Sequence, residues 1–195
     1  MRYTFAVALV CVVAAVAVVG HVGGSAIASI RAGAGPAKTA RGLYLATVMG
    51  CSDCHTPLKM TPTGPEPDAT RLLSGHPEQI GALPRSTPHG AWPVSAAATN
   101  TAFSGPWGVS YAANLTPDQN TGLGIWTEEM FIQALRTGKH MGTSRLIAPP
   151  MPWPAYRHAT DEDLQAIYAY LRSLPPIPNH VPDYQPPVES ASERN

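Results

Sequence analysis

Cys51-Ser52-Asp53-Cys54-His55 is the stretch of this 195-residue chain where residue types and spacing converge on a chemistry. A Cys-x-x-Cys pair has three common uses. A redox dithiol wants a thioredoxin-like βαβ setting, and none surrounds it. A structural zinc site wants a second ligand pair at similar spacing, and none is visible. Covalent haem attachment wants His directly after the second Cys in an exported chain, and both conditions are met. Two thiols three positions apart can reach two vinyl groups along one porphyrin edge. The next residue then lies under the ring, where its imidazole can coordinate iron. Cys51 and Cys54 are therefore the expected anchors and His55 the expected iron ligand. One motif predicts one covalently bound haem c.

An electron carrier keeps its iron six-coordinate, and a thioether ligand raises the potential relative to a second imidazole. The candidates are Met49, Met60, Met130, Met141 and Met151. Met49 lies too close before the attachment site, Met60 too close after it, and Met130 reads as helix core. Met141 sits in a Gly-flanked basic loop and is the second choice. Met151 is the first: it lies in Pro149-Pro150-Met151-Pro152-Trp153-Pro154, where prolines pre-set the backbone and lower the entropy lost in presenting a ligand. A histidine or an open site is the remaining possibility. His140 and His158 flank the Met loop and read as loop residues. His76, His89 and His180 carry no metal spacing.

Three helices must position these groups. Residues 39–50 place Leu45, Val48 and Met49 at i, i+3, i+4, with Gly50 as the stop. Thr127 is an N-cap with Glu128 and Glu129 in the first turn; Met130, Phe131, Ala134 and Leu135 form one face, and Gly138 ends the helix. Thr160 and Asp163 resemble a capping box, followed by Leu164, Ile167, Tyr168 and Leu171, with Pro175 and Pro176 beyond. Residues 56–110 are broken by proline and glycine and show neither period, so they read as a long, partner-facing loop.

The composition agrees with a small domain built around a cofactor. Only 13% of residues are charged, while there are 21 prolines and 17 glycines. A bound macrocycle supplies buried apolar area that a short chain lacks. Thirteen basic residues balance thirteen acidic ones, which argues against nucleic acid as a partner. Arg2 followed by the apolar run 5–20 and Ala26-Ile27-Ala28 reads as a secretory signal, or as an N-terminal membrane anchor if residues 5–30 are retained. Either reading places the rest of the chain across the membrane, in the periplasm of a bacterium. The expected organisation is a signal or anchor at 1–30, a linker at 31–38, the haem domain at 39–176 and a Pro-rich, extended or disordered tail at 177–195.

Four further stretches carry a resemblance: Asn114-Leu115-Thr116-Pro117-Asp118, Thr121-Gly122-Leu123-Gly124-Ile125-Trp126, Pro150-Met151-Pro152-Trp153, and 161–171. With the haem motif, these resemble class I c-type cytochromes, and in particular the cytochrome c domains in haem subunits of bacterial membrane-associated alcohol and gluconate dehydrogenases. The resemblance covers residues 39–55 and 111–176. It implies an all-α fold wrapped around one haem, here with 56–110 as an insertion. It also implies Cys51 and Cys54 as thioether anchors, His55 as proximal and Met151 as distal ligand. The subunits it resembles string several haem domains together, whereas this chain has one motif.

The function expected is single-electron transfer between redox partner proteins (a dehydrogenase, an oxidase or another cytochrome of a respiratory chain), with no substrate turnover of its own. The competing functions are a peroxidase-like haem enzyme and a gas-binding sensor; both need an open iron, which a Met-closed site denies. Trp126 and Trp153 are candidates to pack on the haem or to seal its pocket. Arg136, Lys139, Arg145 and Arg157 are candidates for a docking surface, against the alternative of a solvated face.

Overall fold

The sequence ahead of the Cys-x-x-Cys-His motif is rich in Ala, and it forms a helix. In a computed structural model, which describes residues 25–86 and 93–187 with side chains from residue 35 onward, α1 spans Ser25–Val48 and carries Pro36 within it. It therefore begins upstream of the expected start and takes in residues 31–38, the segment expected to be a linker. Contacts divide the chain into Met1–Ala34 and Gly35–Asn195, and every side chain described below lies in the second unit. The apolar run 5–20, expected to be a signal or anchor, lies outside the described residues. Among the described residues no helix is long and apolar enough to cross a membrane.

The buried stripe of α1 is Gly42, Leu45 and Ala46, with Met49 packed just beyond its end, while Val48 is exposed. The stripe is set by the crossing with α5 (Asp161–Ser173). A Cβ at Gly42 would lie 1.9 Å from the Ala166 carbonyl oxygen, so only glycine allows the two backbones to come this close. Arg41 pairs with Asp163 at 3.0 Å beside the crossing. That carboxylate bonds across to α1 rather than back to its own cap. The Thr160 hydroxyl still caps α5 by accepting from the Asp163 amide at 3.1 Å.

Gly50 (φ 70°) turns the chain out of α1 and into the short helix α2 (Cys51–His55). Helix α3 (Glu128–Thr137) is capped by Thr127, which accepts from the Met130 amide, and it ends at Gly138 in the left-handed conformation. Its buried face is Phe131, Ile132, Ala134 and Leu135, with Met130 only half-buried. The turn α4 (Trp153–Tyr156) follows the Met151 loop. Leu45, Leu73, Phe131, Leu135, Leu164, Ile167 and Leu171 join α1, α3, α5 and the chain after the haem motif in one core.

The expectation of an all-α fold is overturned. The stretch read as a loop holds strands β1 (Leu58–Thr61), β2 (Gly64–Pro67), β3 (Ser95–Ala96), β4 (Ala102–Gly105) and β5 (Gly108–Tyr111). β1 and β2 form an antiparallel hairpin, and β3-β4-β5 an antiparallel sheet with Ser104 opposite Val109. Strands of two to four residues interrupted by Gly and Pro are too short to establish a period of two, so cross-strand pairing decides them. In the described part of the proline-rich tail, Gln185 exchanges backbone hydrogen bonds with Val109 of β5.

Candidate functional site

His55 ends α2, and its ring is buried. Its Nδ1 lies 2.7 Å from the Ala113 carbonyl oxygen. A carbonyl only accepts, so Nδ1 carries the proton and Nε2 keeps its lone pair. Burial also lowers the basicity of the ring, against the Ala113 bond, and so favours the neutral imidazole that a metal requires. The backbone around it is held by the segment that follows. Gly75 donates to the His55 carbonyl at 2.8 Å, and the Asn100 side-chain amide donates to the Asp53 carbonyl at 2.8 Å.

Cys51, Cys54, His55 and Met151 line one cavity of about 590 Å³. That size is within the range of cofactor sites. Leu123, Phe131, Leu135, Ile167 and Leu171 make its walls apolar. Neither described cysteine is in a disulfide. Burial pushes the Cys51 thiol up to about 11, with smaller contributions from Asp53 and Cys54, and raises Cys54 as well. A redox dithiol needs the opposite, a depressed thiol. Among the described residues no group of three or more His, Cys, Asp or Glu converges as a metal site, so zinc has no ligand set here. The residues present do fit a haem. Two free thiols and a tautomer-fixed imidazole come from one short helix, a thioether comes from elsewhere, and all reach one apolar cavity.

Of the candidate methionines, Met49 and Met151 line the cavity and Met60, Met130 and Met141 do not. Met49 directly precedes the Gly50 turn into the cysteine-bearing helix. The Met151 loop is held by the sheet: the Ser110 hydroxyl of β5 donates to the Pro149 carbonyl at 2.5 Å. Trp153 covers Gly138, where a Cβ would fall 2.3 Å from the indole. Trp126 lines the cavity with its ring edge-on to His140, whose basicity burial and Arg145 lower. His140 and His180 reach the cavity, whereas His76 and His158 do not. His21 and His89 lie outside the described residues.

The four-residue basic cluster is not four free cations. Arg136 pairs with Asp161 at 2.5 Å, Arg157 lies over the Trp153 ring, and Arg145 lines the cavity. Residues 110–113 and 180–184 are cavity walls that the residue pattern did not announce. The first group owes its place to strand pairing and the second to the bridge at Gln185, and neither leaves a period in the sequence.

No protein-family model matches the chain. It is 38% identical over 74% of its length to one of the subunits of the nicotinate dehydrogenase of Pseudomonas putida, covering 9% of that protein. It is 32% identical over 67% of its length to the fructose dehydrogenase cytochrome subunit of Gluconobacter japonicus, covering 20% of it. It is 30% identical over 71% of its length to the gluconate 2-dehydrogenase cytochrome c subunit of Pantoea cypripedii, covering 23% of it. The chain is thus related to the cytochrome c subunits of bacterial dehydrogenases, as its residues predicted. It spans between about a tenth and a quarter of the length of these relatives.

Proposed function

We propose that this chain is a mono-haem c-type cytochrome that passes single electrons between protein partners outside the cytoplasm. Cys51 and Cys54 would anchor the haem, and His55 Nε2 and the Met151 thioether would bind its iron. The carrying observation is that these four residues line one apolar cavity, with the Ala113 carbonyl fixing the His55 tautomer. The bound haem supplies one-electron cycling of its iron. The chain's own residues orient the ligands and supply apolar walls around the cavity. The relatives are dehydrogenase cytochrome subunits, and this supports a dehydrogenase as donor or complex partner. Localisation in the periplasm follows from the N-terminal run, acting either as a cleaved signal or as an anchor. The boundaries proposed for the haem domain remain 39–176, with the segment after α5 folded onto it.

The visible spectra of the exported protein and of Met151→Ala test this reading. The expected result is a covalent haem in both, with the weak far-red sulfur-to-iron band present in the wild type and lost in the variant. A low-spin wild type without that band would replace Met151 by His140 or His180. A wild type that binds carbon monoxide readily when reduced would bring the open-iron functions forward.

A further inference from the structure

Asn179 follows a run of prolines in the tail, yet it is fully buried. Its side-chain amide uses all of its hydrogen-bonding positions. Nδ2 donates to the Ser74 carbonyl at 2.7 Å and to the His76 carbonyl at 2.9 Å. Oδ1 accepts from Arg71 Nη2 at 2.6 Å and from the Glu78 amide at 2.9 Å. Two carbonyls on one side and two N–H donors on the other leave a single orientation for the amide.

The turn it clamps, residues 74–76, touches both His55 and the peptide that holds its imidazole. The Gly75 amide donates to the His55 carbonyl at 2.8 Å. Gly75 (φ 79°) also lies against the carbonyl that holds the imidazole: a Cβ there would come within 2.5 Å of the Ala112 oxygen and 2.7 Å of the Ala113 oxygen. The His76 amide ties the turn to the Ala112 carbonyl at 2.9 Å. The route from Asn179 to His55 Nδ1 is therefore one turn and one peptide long.

We propose that Asn179 is a positioning residue for the His55 imidazole, holding the 74–76 turn so that the Ala113 carbonyl stays at hydrogen-bonding distance from Nδ1. The inference rests on His55 being an iron ligand. A bond from Nδ1–H to a carbonyl makes the imidazole a stronger donor, which favours the oxidised iron. Loosening the turn lengthens that bond and favours the reduced form.

The test compares the full haem-bearing chain as wild type, Asn179→Ala and Ile132→Ala, the last being a buried α3 position outside the cavity wall. The readouts are the midpoint potential and the NMR shift of the His55 Nδ1 proton in the reduced protein. Asn179→Ala is expected to move that proton upfield and to shift the oxidised-to-reduced ratio toward reduced by about threefold or more. Ile132→Ala is expected to lose stability while leaving both readouts in place. An Asn179→Ala protein that is destabilised but keeps the wild-type potential and shift overturns the proposal. If Asn179→Ala yields no haem-bearing protein, hydrogen exchange of the wild type decides. The Nδ1 proton, the Gly75 amide and the Asn179 side-chain amide should exchange through one shared opening. A Nδ1 proton that exchanges while the other two stay protected overturns it. A wild type without covalent haem fails the proposed function; a haem-bearing wild type with an unmoved variant fails this inference alone.

Discussion

Thr56, the residue after the haem motif, is fully buried, and its hydroxyl has two tasks. It accepts from the Leu73 amide at 3.0 Å and shares a 2.7 Å hydrogen bond with the Ser52 hydroxyl. Thr56→Val keeps the shape and leaves the buried Leu73 N–H without an acceptor. The expected cost is about 1–3 kcal/mol, read as a lower denaturant midpoint, with Thr56→Ser retaining most of the stability. A Thr56→Val protein as stable as wild type would mean that the amide finds another partner. His76 shows the same economy. Its Nε2 donates to the Gly81 carbonyl at 3.1 Å and its Nδ1 faces the Thr101 hydroxyl at 2.9 Å, so the neutral ring satisfies both neighbours. Burial holds its basicity below the ordinary histidine value, against the Gly81 bond. The haem motif was readable at this scale because attachment needs fixed residue types at fixed spacing. Thr56, His76 and Asn179 were not, because a buried hydrogen-bonding side chain is defined by neighbours that lie far along the chain.

Among the elements, the α1–α5 crossing depends on the smallest residue in it. Gly42→Ala should force the helices apart at Ala166 and cost about 1–3 kcal/mol, the usual range for overpacking. Removing a cap is a useful comparison: Thr127→Ala should cost about 1 kcal/mol and leave the crossing intact. Thermal unfolding of both variants checks the pair, and a Gly42→Ala protein no less stable than wild type would show that the crossing relaxes freely. Helices α3 and α5 were legible because caps, acidic first turns and apolar spacing all act within one element. The stripe of α1 was misread at Val48 because the choice between neighbouring faces was made by α5. The β-strands were missed because two to four residues are too few to establish a period of two.

For the whole molecule, His76 predicts the direction of a pH dependence. A histidine whose basicity is lowered by folding stays neutral while the unfolded chain takes up a proton. Stability should therefore be level above the ordinary histidine value of about 6.5 and fall as the pH drops below it. The buried His55 of haem-free protein pushes the same way, so the contribution of His76 is isolated by comparing denaturant midpoints of wild type and His76→Gln in the haem-bearing form. A difference that does not change with pH would remove His76 as the source.

By itself the sequence pointed to the cytochrome c kinship and to the autonomous helices. A Cys-x-x-Cys-His motif, a methionine between prolines and capped amphipathic stretches each carry their meaning within a few residues. Only the tertiary structure decided how these are held. The Ala113 carbonyl on His55, the Ser110 hydroxyl on the Met151 loop and the tail lining the cavity join residues separated by 58, 39 and more positions. Such contacts are selected by close packing and by the need to satisfy buried polar groups, and neither constraint has a local period to read.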